Sequence, residues 1–223
     1  HNILAVFCLD DNLSKKKARH TDLSQLCKKY KINRYKVQNI NDAINVDEIK
    51  KLKPDVILES GWSQIISSEI IDIPKYGTIG LHYSMLPKNQ GGASLNWALI
   101  KDEKEWGVSL FYLVATIDKG DIIDQGKILI NDDDDINTLY NKADNKSIEL
   151  LQKNLPLIEK GKAPRIIQKV NESTYLPARK PSDGIIDWNQ DARTIFNLVR
   201  ALTLPYPMAY TNFNNDKLKI IKC

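Results

Sequence analysis

Only three histidines occur in the chain, His1, His20 and His82. The first two stand in terminal or polar surroundings. His82 closes the apolar run Thr78-Ile79-Gly80-Leu81, which reads as a buried strand. In an open α/β sheet, ligands bind just beyond the carboxyl ends of strands. An imidazole placed there can act as acid or base near neutral pH. A buried histidine satisfied by backbone is the competing reading, and spacing alone leaves both open. A second candidate is the turn within Val114–Gln125, where Asp118 and Asp121 flank Gly120. A carboxylate in that turn can orient a histidine or hold a proton-relaying water. An aspartate bonding its own backbone is the commoner use of Asp-x-Gly, with glycine permitting the tight path.

These residues need a sheet to position them. The apolar stretch Ile3–Leu9 predicts a strand covered on both faces. Helical spacing follows over Asp22–Tyr30 and Asp47–Lys53, the latter stopping before Pro54. Short strands are expected at Tyr35–Val37, Asp55–Leu58 and Thr78–His82, with a short helix at Ser68–Ile71. This close alternation predicts an α/β fold, a Rossmann-like parallel sheet flanked by helices. Beyond it, Met85–Leu95 reads as a loop, Ser94–Ile100 as a helix, and Val108–Val114 and Gly126–Ile130 as strands. The four aspartates Asp132–Asp135 lack calcium-loop spacing. They read as a solvated turn capping a helix over Ile136–Ile158, which Pro156 would break. Gly161–Pro181 resembles a connector with a short strand at Arg165–Gln168. A small or truncated C-terminal appendage follows, with a helix from Asp191 to Leu202 and a strand at Leu218–Lys222. The expected division is residues 1–160, a linker over 161–182, and 183–223 as the start of a second domain.

Composition narrows the class. The chain has 223 residues, 42% hydrophobic and 27% charged, as globular proteins do. The net charge of +4 is spread along the chain and only mildly favours an anionic partner. Lys15, Lys16, Lys17 and Arg19 form the one local basic cluster, read as a solvated loop. Three cysteines, Cys8, Cys27 and Cys223, have no metal-knuckle spacing, so neither a disulfide framework nor zinc is expected. No run reaches the roughly 20 apolar residues of a membrane span, and the start is too short for a signal peptide. A cytoplasmic, metal-free protein is expected.

Taken together, the segment Tyr76–Trp97 and the later turn resemble the folate-dependent formyltransferases. The family signature is Asn-x-His-x-Ser-x-Leu-Pro, a glycine-containing loop, and then Asp-x-Gly-x-Ile. Matching spacing is found at His82, Ser84, Leu86, Pro87, Gly91, Asp118, Gly120 and Ile122. The tail Asp183–Thr211 also resembles the approach to the family's C-terminal domain. The resemblance implies N10-formyltetrahydrofolate as cosubstrate and a primary amine as acceptor. It implies His82 and Asp118 as catalytic residues. Gly61, Trp62, Ser63, Ile65, Leu86, Ile117, Gly120 and Asp121 would contact the folate, with the Gly61–Ile65 and Ile117–Asp121 segments lining the pterin slot. Ser84, Pro87, Gln90 and Gly91 would contact the acceptor.

Several positions depart from that pattern. The family's catalytic asparagine falls on Gly80, which has no side-chain donor, and loss of one oxyanion donor typically slows a reaction by about 10²–10³. Tyr83 replaces the usual proline, Gln90 an arginine, and Met208 a glycine. The family also carries a further strand, loop and helix before this chain's first strand, and continues past its last, so the chain reads as trimmed. The expected acceptor is a nucleotide-linked amino sugar, with a homodimer compatible. Methionyl-tRNA is the alternative, less favoured because such an enzyme would carry a larger basic surface. An inactive folate- or nucleotide-binding module and a formyltetrahydrofolate hydrolase are further alternatives.

Overall fold

The apolar run near the start forms β1 (Ala5–Leu9), and a computed structural model shows how the chain builds on it. The model describes residues 1–223 apart from Lys16 and Asn215. One part of the Lys15–Lys17 cluster therefore lies outside the described residues. The chain divides into two units, His1–Thr78 and Ile79–Cys223.

In the first unit, β1 leads into α1 (Asp11–Ser14), whose first turn is capped by the Asp10 carboxylate. After α2 (Ser24–Tyr30) the chain returns as β2 (Asn33–Val37), parallel to β1. Then come α3 (Ala43–Leu52), β3 (Ile57–Glu59) and α4 (Ser68–Ile71). Val46 and Ile49, three residues apart on one helical face, pack with Val37, Ile40 and Ile70 into a core. Phe7 stacks on Tyr35 at its margin, ring centroids 4.7 Å apart. The strand after Pro54 starts at Ile57, later than expected, and the Asp55 carbonyl before it accepts from Tyr76 N at 2.9 Å.

The strand β4 (Thr78–His82) begins on the last residue of the first unit and continues into the second. A loop holding the two-residue β5 (Gln90–Gly91) leads to α5 (Ser94–Ile100), then β6 (Glu105–Tyr112) and β7 (Ile122–Leu129). The β4–β6 and β6–β7 pairs are antiparallel. The connection from Leu113 to Asp121 is too short for a parallel crossover, which needs about a dozen residues. Parallel pairing is thus found at β1–β2, with an antiparallel extension after β4. Both strands of that extension start earlier than expected, because the chain already turns at Leu113 to form the Asp118 loop.

The helix α6 (Ile136–Glu159) covers this sheet. It buries Ile136, Leu139, Ala143, Ser147, Leu150, Asn154 and Ile158 along one stripe. Asp135 caps it as expected, accepting from Asn137 N and Thr138 N at 2.8 and 3.0 Å. Two expectations here need correction. Asp134 is buried rather than solvated, bonded to Asn131 N at 2.6 Å and Thr138 Oγ1 at 2.8 Å and paired with Lys142. The helix also runs through Pro156, which sits in the last turn where few intrahelical bonds remain to lose. The connector contributes an isolated bridge at Ile166 and β8 (Tyr175–Leu176), parallel to β5. α7 (Ala192–Leu202), β9 (Ala209–Phe213) and β10 (Asp216–Ile220) complete the unit, β9 and β10 as an antiparallel pair. Among the described residues no helix is long and apolar enough to cross a membrane.

Candidate active site

His82 lies at the carboxyl end of β4, opposite Ser109 of β6. Its Nε2 is 2.9 Å from the Asn89 carbonyl oxygen. A carbonyl only accepts, so Nε2 donates and Nδ1 is the nitrogen left to gain or lose a proton. Nδ1 faces Asp118 Oδ2 at 3.7 Å, with the two side chains 11% and 14% exposed. That separation is longer than a direct hydrogen bond but still within reach of an ion pair. When Nδ1 takes a proton, both ring N–H groups meet acceptors.

The structure fixes Asp118 from several sides. Its φ of +55° is unusual for a residue with a side chain. Its Oδ2 accepts from Gly91 N at 2.8 Å. Its carbonyl accepts from Gln168 Nε2 at 2.8 Å and from Gln90 Nε2 at 3.1 Å. Gln168 Nε2 also reaches Gly120 O at 2.7 Å, so one amide straps the whole turn. Gly120 is needed for the path itself: a Cβ there would lie 1.7 Å from Tyr112 O. Asp121 gives its carbonyl to Tyr112 N at 2.9 Å and its carboxylate faces Arg165 at 3.6 Å. Ile117 is exposed on the same loop.

The loop after β4 is held as tightly. Ser84 is fully buried, and its hydroxyl donates to Lys88 O at 2.7 Å. Leu86 is buried against Phe111 and Ile122. Gln125 Nε2 donates to Leu86 O at 2.9 Å, and Thr174 N to Pro87 O at 3.4 Å. Gln90 is buried, with its amide directed at Asp118 O and Gln168. Ser84 and Gln90 therefore shape the loop with the polar atoms expected to meet an acceptor. Tyr83 donates to Asp144 Oδ1 at 2.7 Å, and burial together with that bond pushes its phenol well above the usual range.

Gly61, Trp62, Ser63 and Ile65 belong to the first unit. Gly61 has φ +69° and open space where a Cβ would sit. Trp62 N donates to Glu59 Oε1 at 2.5 Å, while its indole packs on the first unit's core. The indole Nε1 is buried with no hydrogen-bond partner. Asn41 Nδ2 holds Ile65 O at 2.8 Å, and the Ile65 side chain is exposed. Sequence reasoning missed Asn89, Gln168 and Thr174. Asn89 carried a usable signal, since asparagine enters the left-handed region more readily than most residues with a side chain, and its φ is +59°. Gln168 carried none, because its amide acts across 48 residues of sequence.

Residues 1–155 match the formyl transferase family model, and residues 179–223 match the formyl transferase C-terminal domain. The bifunctional polymyxin resistance protein ArnA of Wigglesworthia glossinidia brevipalpis is 39% identical over 220 residues. That match covers 99% of this chain, which spans about a third (34%) of ArnA's length. Methionyl-tRNA formyltransferase of Clostridioides difficile (strain 630) is 37% identical over 207 residues, 93% of this chain and 67% of that protein. Among solved structures, WlaRD, a sugar 3N-formyl transferase crystallised in the presence of dTDP and 5-N-formyl-THF, superposes with a TM-score of 0.70. It is 21% identical, with 96% of this chain and 73% of WlaRD covered. The chain belongs to the formyl transferase family.

Proposed function

We propose that this chain transfers a formyl group from N10-formyltetrahydrofolate to the primary amine of a nucleotide-linked amino sugar. The observation that carries the reading is the His82 imidazole held between the Asn89 carbonyl and the Asp118 carboxylate at the end of β4. The folate, when bound, supplies the formyl carbon. His82 Nδ1 receives the proton that the attacking amine sheds as its nitrogen bonds to that carbon, and returns it to the departing folate nitrogen. Asp118 offsets the positive charge that His82 carries between those two events. Its carboxylate is already fixed by Gly91 N, so little reorganisation is needed.

Within the second unit, Leu86, Ile117, Gly120 and Asp121 are the residues assigned to the folate. Pro87 and Gly91 are assigned to the acceptor side, where Ser84 and Gln90 act through the loop they brace. The sugar assignment draws on ArnA, matched over nearly the whole chain, and on the WlaRD fold.

The second reading, a binding module without transfer, is favoured by Gly80, which brings no side-chain donor to the developing oxyanion. One experiment separates the readings. The intact protein is incubated with N10-formyltetrahydrofolate and either an amino-sugar nucleotide or methionyl-tRNA, and products are read by mass spectrometry. The expected result is a formamide on the sugar. Formylation of the tRNA alone would move the assignment to methionyl-tRNA. Folate binding with neither product would establish the module.

A further inference from the structure

The short strand β5, with Asn89 and Gly92 at its ends, meets different partners on its two edges, all of them within the second unit. One edge faces the connector. Gln90 N donates to Thr174 O at 2.9 Å, Gly92 N to Leu176 O at 3.2 Å, and Asn89 N to Thr174 Oγ1 at 2.8 Å. The other edge faces the His82–Asp118 pair. Asn89 O accepts from His82 Nε2 at 2.9 Å, and Gly91 N donates to Asp118 Oδ2 at 2.8 Å. The connector and the pair are thus joined through the backbone of one strand.

A single peptide group carries the link to His82. In a trans peptide the C=O and the following N–H point in opposite directions. The group between Asn89 and Gln90 directs its N–H at Thr174 and so aims its C=O at the imidazole. Hydrogen bonds in such a chain polarise and strengthen one another. The Asn89 backbone does not favour this geometry by itself, since its φ of +59° is costly for a residue with a side chain. Such a conformation persists where its neighbours over-determine it. Thr174 holds it twice, taking Asn89 N on its hydroxyl and Gln90 N on its carbonyl. Thr174 itself is exposed, so filling a core does not account for it. The strands are also in close contact: a Cβ on Gly91 would lie 2.5 Å from Leu176 O.

We propose that Thr174 is a positioning residue for the His82–Asp118 pair. By clamping Asn89 and Gln90 it holds the carbonyl that keeps the proton of the neutral ring on Nε2, leaving Nδ1 bare beside Asp118. If that carbonyl turns away, the ring can carry its proton on Nδ1 instead and donate it to the Asp118 carboxylate. In that tautomer Nδ1 accepts nothing. The consequence for catalysis rests on the formyl-transfer reading above, in which Nδ1 receives the proton of the attacking amine.

Two measurements on the intact protein test this. With histidine labelled at its ring nitrogens, NMR reads the tautomer directly, without substrate and at a pH where the ring is neutral. The His82 signals are assigned by their loss in His82→Ala. The unmodified protein should carry the proton on Nε2. Thr174→Val, which removes the hydroxyl acceptor, should raise the Nδ1–H form about five- to tenfold, as loss of one hydrogen bond implies. Thr174→Ser, which retains the acceptor, should not. In steady-state formyl transfer, Thr174→Val should lower kcat about five- to tenfold with both KM values unchanged, and Thr174→Ser should restore it. An unchanged tautomer or an unchanged kcat in Thr174→Val would overturn the proposal. So would an effect on KM alone, or a serine variant that behaves like valine. Because the tautomer is read without substrate, an unmodified protein that transfers no formyl group would overturn the reading above, while the tautomer would still decide the role of Thr174.

Discussion

Two loops assigned to the same reaction are built in opposite ways. The Ile117–Asp121 loop is over-determined: Gln168, Gln90 and Gly91 all bond Asp118, and Gly120 has no room for one more carbon. The Gly61–Ile65 loop is also hydrogen-bonded, at Trp62 N, Gln64 and Ile65 O, but it is not sterically locked: Gly61 has open space where a Cβ would sit and Ile65 is exposed. Charge stabilisation works best from groups fixed before the reaction begins. Apolar ring binding tolerates surfaces that settle on contact. The contrast is steric: the Asp118 turn admits no added carbon at its glycine, whereas the Gly61 turn does.

The comparison can be broken at four points. The largest effect is expected from His82→Ala, which should lower formyl transfer by about 10²–10⁴ with cosubstrate binding retained. Steady-state kinetics with folate titration checks this, and an unchanged rate would remove His82 from the chemistry. Next, Gly120→Ala should destabilise the protein by roughly 3 kcal/mol, since the added carbon meets Tyr112 O and the turn must be rebuilt. Denaturant unfolding measures it; a small change would mean the braced loop is softer than its contacts suggest. Asp118→Asn keeps the shape but removes the charge facing His82, and should slow transfer roughly ten- to hundredfold with cosubstrate affinity little altered. An equal loss in affinity would instead place Asp118 in binding. The smallest effect is expected from Gly61→Ala, about 1–2 kcal/mol from positive φ alone, because no atom stands in the way. A loss there as large as at Gly120 would erase the contrast.

Much of this was legible beforehand, and the rest was hidden for physical reasons. His82 and Asp118 stood out as candidates by residue type beside predicted strands, and the family resemblance, rather than spacing alone, implied a role for each. α4 and α5 were placed to the residue, since apolar spacing is also local; neither helix has a side-chain cap. The bracing of the site was not, because it is long-range. Gln168 reaches back to Asp118, and Thr174 to Asn89 and Gln90, across 50, 85 and 84 positions. No pattern in the intervening chain encodes those contacts. The Asp134 carboxylate has partners near in sequence, Asn131, Thr138 and Lys142, but the Arg200 guanidinium that covers its carbonyl comes from 66 positions away.

Met208 carries a consequence of its own. A glycine at that position would sit at φ +71° without penalty. The chain keeps a bulky thioether there instead, at a standing loss of about 1 kcal/mol. Met208→Gly should therefore give a protein that melts higher, and a lower melting temperature would show that the side chain's packing outweighs the strain of its backbone.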